Sequence, residues 1–450
     1  METVNLGLIG GGTVGGGVIR ALRRNGSLMA SRLGVTLTVR RVAVRSVAKH
    51  RDLGLPKGVL TDDWRAVVED PEVQIVVELA GGTTTARDMV LAALRLGKPV
   101  VTANKALLSA HGPELFRTAA KHGTNLYYEA SVAGGIPIIK VLRESLVGNR
   151  VLSLAGIVNG TCNYILTRMK LEGIEFSEVL AEAQRLGYAE AEPSLDVDGH
   201  DAAHKTGILA SLAHGFWVDP KSIHTEGIRQ ISRLDIRFAA QLGYTIKLLG
   251  VIKTVPSKPA KSAKRKGSAT LSDGPRIQVA VYPALVPNAH VLASVNHAFN
   301  AISVRGDIVG DTLFYGRGAG ADATASSVLS DLADAALDLK HASIERVPCF
   351  VAHASTSRVI PMEEVVSRYY LRIEVVDQPG VFARISTLLA KAGIGISSII
   401  QPEGHVGETV PVILMIHDAP NAAMQKALKL ISRLNVVRAE PVLIRVETFE

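Results

Sequence analysis

The stretch "VNLGLIGGGTVGGGV", residues 4–18, runs from an apolar segment into six glycines within eight positions. Residues 4–10 have the character of a strand buried in a parallel sheet. A helix is expected from about Val14 to Arg24. Between them lies Gly10-x-Gly12-x-x-Gly15. Its placement, strand before and helix after, is what gives so short a pattern its content. Gly10 permits the tight turn, Gly12 lets the backbone approach a pyrophosphate, and Gly15 allows close helix–strand packing. Thr13 and Val14 then stand at the helix N-terminus, which receives phosphate. A purely structural glycine turn is the bland alternative.

Outward from this loop, strands and helices alternate. "VTLTVRRVAVRS" (35–46), "QIVVELA" (74–80) and "PVVTA" (99–103) read as strands, and "ARDMVLAALRLG" (86–97) as a helix closed by Gly97. The pattern predicts an open, doubly wound parallel sheet over residues 1–137, a Rossmann-like dinucleotide-binding domain. NAD-selective sites usually place an acid at the end of the second strand. Here Arg45 and Lys49 stand in that region. An arginine there pairs with a 2′-phosphate, so NADP(H) is the expected cofactor, with NAD(H) as the weaker alternative. A solvated strand-end charge is the competing reading.

The texture changes near residue 140. "RVLSLAGIVNG", "YTIKLLGVIKT" and "RIQVAVYPALVP" look like longer strands with helices between them, an α+β region over 138–345. The stretch 256–275 carries Lys258, Lys261, Lys264, Arg265 and Lys266 among Ser, Pro, Gly and Ala. It reads as a solvated loop between two strands. Nothing aromatic is interleaved, which argues against a nucleic-acid patch. Residues 366–450 look separate and follow the order βαββαβ, the ferredoxin-like unit.

Composition bounds the rest. A chain of 450 residues exceeds one core, so two or three domains are expected. The aromatic share of 4% disfavours stacked-base recognition, and a net charge of +8 suits anionic small molecules. Two cysteines make no disulfide framework. No apolar run is long enough to span a membrane. A cytoplasmic protein is the simplest expectation.

"GYAEAEPSLDVDGHDAAHK", residues 187–205, concentrates Glu190, Glu192, Asp196, Asp198 and Asp201 beside two histidines and Lys205. A calcium loop fails on spacing: counted from Asp196, glycine falls at position four and position twelve is Gly207. His200-Asp201-x-x-His204 mimics a zinc helix, but Asp reaches poorly as a base and no third ligand is evident. The third reading is a proton-handling pair. Residues 200–214 form a helix ended at Gly215, and Asp201 and Lys205 share its face at i and i+4. A held ammonium can donate a proton to a carbonyl oxygen, and in reverse accept one from an alcohol. A surface salt bridge is the bland alternative.

Five separated motifs now occur in order: "VTANKALL" (101–108), "YYEASVAGGIPII" (127–139), "GIVNGTCNYILTRM" (156–169), the acidic stretch above, and "FYGRGAGADATASSV" (314–328). Together they resemble homoserine dehydrogenase from residue 4 to about 345. The resemblance implies NAD(P)H-dependent reduction of L-aspartate 4-semialdehyde to L-homoserine, on the route to threonine, methionine and isoleucine. It implies that Lys205 handles the proton with Asp201 beside it. Glu190 and Asp196 would hold the substrate ammonium, and Lys105 would stand near both nicotinamide and substrate. Gly187 and Gly320 would lie against the cofactor. Glu129 with the carbonyls of Val132, Gly134 and Ile136 would hold a monovalent cation such as sodium. Ala323 departs from the proline frequent in that family's loop.

Cys162, in "NGTCNY", raises an enzymatic rival, a cysteine-dependent semialdehyde dehydrogenase. No activating histidine is local, so an inert buried thiol is the expectation. "VVDQPGVFARIS", residues 375–386, is similar to the opening of an ACT domain, in which Gly380 at a helix N-terminus would receive an amino-acid carboxylate. Threonine is the effector this implies, and a homodimer or homotetramer the assembly. A non-catalytic amino-acid sensor is the rival from another class.

Overall fold

The computed structural model describes residues 2–187, 189–255, 275–344, 346–354, 356–402, 405 and 407–449. Most of the basic stretch, residues 256–274, lies outside them.

The first sheet contains β1 (Glu2–Ile9), β2 (Val35–Ala43), β3 (Leu60–Thr61), β4 (Ile75–Glu78), β5 (Val100–Thr102) and β6 (Leu126–Tyr127) in the order β3-β2-β1-β4-β5-β6, all parallel. Strand alternation decides what each face covers. Ile75 and Val77 face one core with α1 (Thr13–Leu33), and Val76 faces another with α3 (Thr85–Arg95) and α4 (Lys105–Lys121). The short α2 (Arg65–Val68) buries Val67 and Val68. The first helix runs well past Arg24. Gly26 does not interrupt it; the stop is Gly34, left-handed at φ 65°.

Three long strands and their partners build the second sheet: β7 (Val151–Ile157), β8 (His224–Thr225), β9 (Tyr244–Val255), β10 (Arg276–Pro287), β11 (Phe299–Gly306), β12 (Gly310–Arg317) and β13 (Arg358–Val359). Its helices are α5 (Ile138–Lys140), α6 (Gly160–Glu172), α7 (Phe176–Arg185), α8 (Ser194–Val197), α9 (His200–His214) and α10 (Arg233–Gln241). The long α11 (Ala321–Lys340) returns to the first sheet, where Ala325, Val328 and Leu332 join the core of Val18 and Leu22.

The C-terminal unit is β14 (Val366–Val376), α12 (Val381–Lys391), β15 (Ile396–Ile400), β16 (Thr409–Pro420), α13 (Asn421–Ile431) and β17 (Val442–Val446). Its strand order, β17-β14-β16-β15, is ferredoxin-like. The unit has its own core and also joins the second sheet at one edge. β17 pairs with β10, Ala284 opposite Arg445 and Leu285 opposite Val446, so one eleven-stranded sheet crosses both regions. Each strand satisfies an edge that would otherwise be left with unpaired backbone groups.

Candidate active site

The three fingerprint glycines are required for different reasons. Gly10 has φ 111°, and a Cβ there would stand 2.5 Å from the Leu79 carbonyl oxygen. A Cβ on Gly15 would stand 2.1 Å from the Gly10 oxygen. A Cβ on Gly12 would meet open space, so at that N-cap the backbone is left uncovered. Thr13 follows, exposed, as the first residue of α1. A cavity of about 490 Å³ opens over this loop, lined by Gly10, Gly12, Arg45, His50, Asp62 and Trp64 among others. Its size, the uncovered backbone and the exposed Arg45 fit a dinucleotide. Lys49 is exposed and is not among the described residues lining that cavity. His50 is, fixed by a 2.9 Å contact of Nδ1 with the Ser46 oxygen. Nothing in the sequence marked it.

A second cavity, about 280 Å³, is lined by Val14, Leu79, Gly81, Gly82, Asn104 and Lys105 among others. Beneath it lies Glu78, fully buried at the end of β4. Its Oε1 accepts from the amides of Ala80 (2.9 Å) and Gly81 (3.1 Å), and its Oε2 accepts from the Thr102 hydroxyl (2.7 Å). Thr102 Oγ1 in turn accepts from the Asn104 amide at 3.0 Å. The Asn104 side chain accepts from the Leu107 amide, capping α4, and donates to the Gly82 oxygen. Burial pushes the Glu78 carboxyl upward against these donors. Glu78 thus ties the cavity floor to the helix that begins with Lys105.

At the centre one carboxylate is shared. Asp201 Oδ2 lies 2.7 Å from Lys205 Nζ, and Oδ1 lies 2.9 Å from Lys105 Nζ. Lys205 also donates to the Val158 oxygen at 2.7 Å. Asp201 is 5% and Lys205 9% exposed. Burial opposes ionisation of Asp201, but the Lys205 and Lys105 ammoniums overcome it and hold the carboxyl well below its usual range. The surface-salt-bridge reading therefore does not describe this pair. The Asn159 amide bridges Asp201 Oδ2 (2.9 Å) and Asp196 Oδ1 (2.7 Å), bringing the two acids together. Asp196 is half-buried; burial raises its carboxyl despite that hydrogen bond. Asn159 also caps α6, its Oδ1 accepting from the Cys162 amide, and was missed because it reads as an ordinary helix cap.

Glu190 is exposed, and its carboxylate bonds no described residue. Gly187, at φ 77°, closes the turn after α7. Gly320, at φ 117°, caps α11. Its neighbour Ala321 packs so closely on α1 that a Cβ on Gly17 would stand 2.7 Å from the Ala321 oxygen. No group of three or more His, Cys, Asp or Glu suited to a metal occurs among the described residues, so the zinc reading gains no third ligand. Cys162 is buried; burial, then the charges of Asp196 and Asp201, push its thiol far up, and Sγ faces the Asp196 oxygen at 3.2 Å. That is an inert thiol rather than a nucleophile.

Glu129 is buried, and burial pushes its carboxyl up to about 7 although it accepts from the amides of Ile139 (2.9 Å) and Lys140 (2.7 Å). Asp331 lies beside it, its Oδ2 accepting from the Glu129 amide at 2.9 Å. Val132, Gly134 and Ile136 are buried in the following turn. The Gly134 carbonyl accepts from Ser327 and that of Ile136 from Ile138, each keeping a second lone pair. A buried carboxylate followed by a buried turn with spare carbonyl lone pairs offers the hard oxygen donors that a monovalent cation takes. In the C-terminal unit, Gly380 caps α12 in the left-handed region, at φ 85°.

A buried lysine–carboxylate pair beside a nucleotide cavity can pass a proton while hydride moves. Residues 10–129 match the family model "Homoserine dehydrogenase, NAD binding domain", 137–333 "Homoserine dehydrogenase", and 369–431 "ACT domain". The chain is 43% identical to a homoserine dehydrogenase of Pseudomonas aeruginosa, with 99% of both chains covered. It is 42% identical to one from Corynebacterium glutamicum, covering 99% of this chain and 96% of that relative. The structure is similar to a homoserine dehydrogenase from Thiobacillus denitrificans, with TM-score 0.90, 42% identity and 99% coverage of each. It is similar also to a hyperthermophilic archaeal homoserine dehydrogenase in complex with NADPH, with TM-score 0.61 and 26% identity over 75% of this chain and 98% of that one. On full-length identity and on a Rossmann-like sheet, catalytic region and ACT domain in the same order, the chain belongs to the homoserine dehydrogenase family of NAD(P)-dependent oxidoreductases.

Proposed function

We propose that this homoserine dehydrogenase prefers NADP(H) and that Lys205 moves the proton as L-aspartate 4-semialdehyde and L-homoserine interconvert. The observation that carries the reading is the single buried carboxylate of Asp201, gripped by Lys105 and Lys205 beside the nucleotide cavities. Bound NADP(H) supplies or accepts the hydride. Of the three N–H bonds of the Lys205 ammonium, two are directed to Asp201 and to the Val158 carbonyl. The third donates to the aldehyde oxygen during reduction, and the same nitrogen takes the hydroxyl proton during oxidation. Asp196 and Glu190 receive the substrate ammonium. Lys105, a third exposed, stands between cofactor and substrate. Gly187 and Gly320 leave room for the cofactor, and Arg45, with Lys49 further out, meets its 2′-phosphate.

Glu129 and the carbonyls of Val132, Gly134 and Ile136 hold a monovalent cation such as sodium. The ACT unit binds threonine near Gly380 and feeds back on activity. The enzyme works in the cytoplasm as a homodimer or homotetramer, on the route to threonine, methionine and isoleucine. Unchanged kinetics across a wide threonine titration, with no detectable binding, would reject the feedback role.

The test of the central reading is nicotinamide absorbance after mixing the protein with L-homoserine at alkaline pH, with NADP and NAD in parallel. Reduced cofactor forming faster with NADP is expected. Equal or faster reduction of NAD would overturn the preference, and no reduction with either would overturn the reaction.

A further inference from the structure

One side chain of the C-terminal unit grips a residue next to the segment that packs on the acidic turn. Arg445, on β17, is 1% exposed. Its guanidinium donates to Glu226 Oε2 at 2.8 Å and to Asn421 Oδ1 at 3.1 Å, and lies 4.7 Å over the Tyr282 ring. Glu226 sits just after β8, which shares with β17 the same edge of β10. Its other oxygen meets His224 Nε2 at 2.6 Å. Burial opposes its ionisation, yet His224 and Arg445 hold its carboxyl down at about 2.

The backbone that follows Glu226 is pressed onto α8. The Ile228 amide donates to the Val197 oxygen at 2.8 Å. A Cβ on Gly227 would stand 2.2 Å from that same oxygen, and one on Gly199 would stand 3.0 Å from the Glu226 oxygen. Arg229 then grips Asp198 through Nε at 2.5 Å. The residues held this way, Val197 to Gly199, link Asp196 directly to Asp201. A shift of the 226–228 backbone has no slack in which to be absorbed.

We propose that Glu226, anchored by Arg445, is a positioning residue for Asp196, so that the C-terminal unit sets substrate affinity within the same chain. The inference rests on the reading of Asp196 as a substrate-holding acid. The glycine loop and Arg45 lie in the first sheet's region, away from this turn.

The test is a kinetic comparison of full-length Glu226→Gln, Glu226→Asp, Arg445→Met and the double variant Glu226→Gln/Arg445→Met, with Asp196→Asn as the control. Glu226→Gln and Arg445→Met are each expected to raise KM for homoserine by about 10-fold. The NADP KM should stay within about twofold, and the double variant should be no worse than either single one. Glu226→Asp, which keeps the charge, should recover part of the affinity. An unchanged homoserine KM in Glu226→Gln, or a parallel rise in both KM values, would overturn the strut. If Asp196→Asn itself leaves the homoserine KM unchanged, the substrate role of Asp196 fails instead.

Discussion

Asp201 and Lys205 stand one turn apart on α9, their Oδ2 and Nζ 2.7 Å apart and nearly out of reach of water. Lys205 is therefore a held donor rather than a mobile surface cation. Lys205→Ala is expected to lower kcat by about 10²–10⁴-fold, the usual range for losing a positioned proton-transfer group. Cofactor binding, followed by NADPH fluorescence, should persist because the glycine loop is untouched. Full turnover in this variant would remove Lys205 from the chemistry.

If Arg45 meets the 2′-phosphate as proposed, its replacement should change the choice between the two nicotinamide cofactors. Arg45 is exposed and lines the cavity over the glycine loop, where an acid would instead accept from a ribose hydroxyl. A hydrogen bond to a charged group contributes about 1.5–3 kcal/mol. Arg45→Asp should accordingly shift the ratio of kcat/KM for NADP over NAD by about 10- to 100-fold toward NAD. A ratio that stays put would assign the 2′-phosphate to another residue, with His50 first in line.

The glycine loop and α9 were legible because backbone geometry permits few residues there. Gly10 at positive φ, Gly15 against the Gly10 oxygen, and Gly215 at φ 68° after α9 leave a signature in the sequence. The Asp201–Lys205 pair was legible because helical spacing fixes it. Contacts between distant elements left no such trace. Lys105 reaches Asp201 only because α4 packs on α9. Glu78 looked like one polar residue ending an apolar strand, and Asn159 like a plain cap. The β10–β17 pairing was hidden for a related reason: an edge strand does not encode which other edge will cover it.

Glu78 should prove structural for the cofactor site although it touches none of the reacting groups. Its Oε1 accepts from two backbone amides and its Oε2 from a hydroxyl, so an amide in its place keeps the first pair only by turning its NH2 onto Thr102, whose hydroxyl proton then loses its acceptor. Leaving such a buried group unsatisfied costs about 1–3 kcal/mol. Glu78→Gln is expected to lower the melting temperature and raise the NADP KM, while homoserine KM changes less. The reverse order of effects on the two KM values would place Glu78 with the substrate side instead.

Glu129 makes the proposed cation testable without reference to turnover. Its carboxylate and Asp331 are both buried, and burial and mutual repulsion hold the Asp331 carboxyl far up. A bound cation would relieve that crowding and stabilise the fold by mass action. Replacing a bulky organic cation with sodium at constant ionic strength should raise the melting temperature of the wild-type chain. The Glu129→Gln variant should show no such gain. A sodium effect that survives in the variant would place the ion elsewhere.

His214 ends α9 and gives the fold an acid-sensitive point at the helix that carries Asp201 and Lys205. It is 7% exposed, Nε2 has no partner among the described residues, and burial, reinforced by His353, lowers its pKa to about 4. The unfolded chain takes up this proton near pH 6.5, before the folded one does. Between those values the unfolded state binds more protons, so stability falls as pH falls from about 6.5 to about 4. The loss from this residue amounts to about 3 kcal/mol, and above pH 6.5 it is absent. Asp201, held far below its usual range, stays ionised in the folded state; its unfolded carboxyl takes up protons only below about pH 5, so it adds slope at the acid end of the window alone. His214→Leu should therefore flatten the acid side of a denaturant-midpoint profile measured from pH 7.5 to 4.5 while leaving the neutral midpoint nearly unchanged. If the variant keeps the wild-type slope, the proton taken up on acid unfolding belongs to another group.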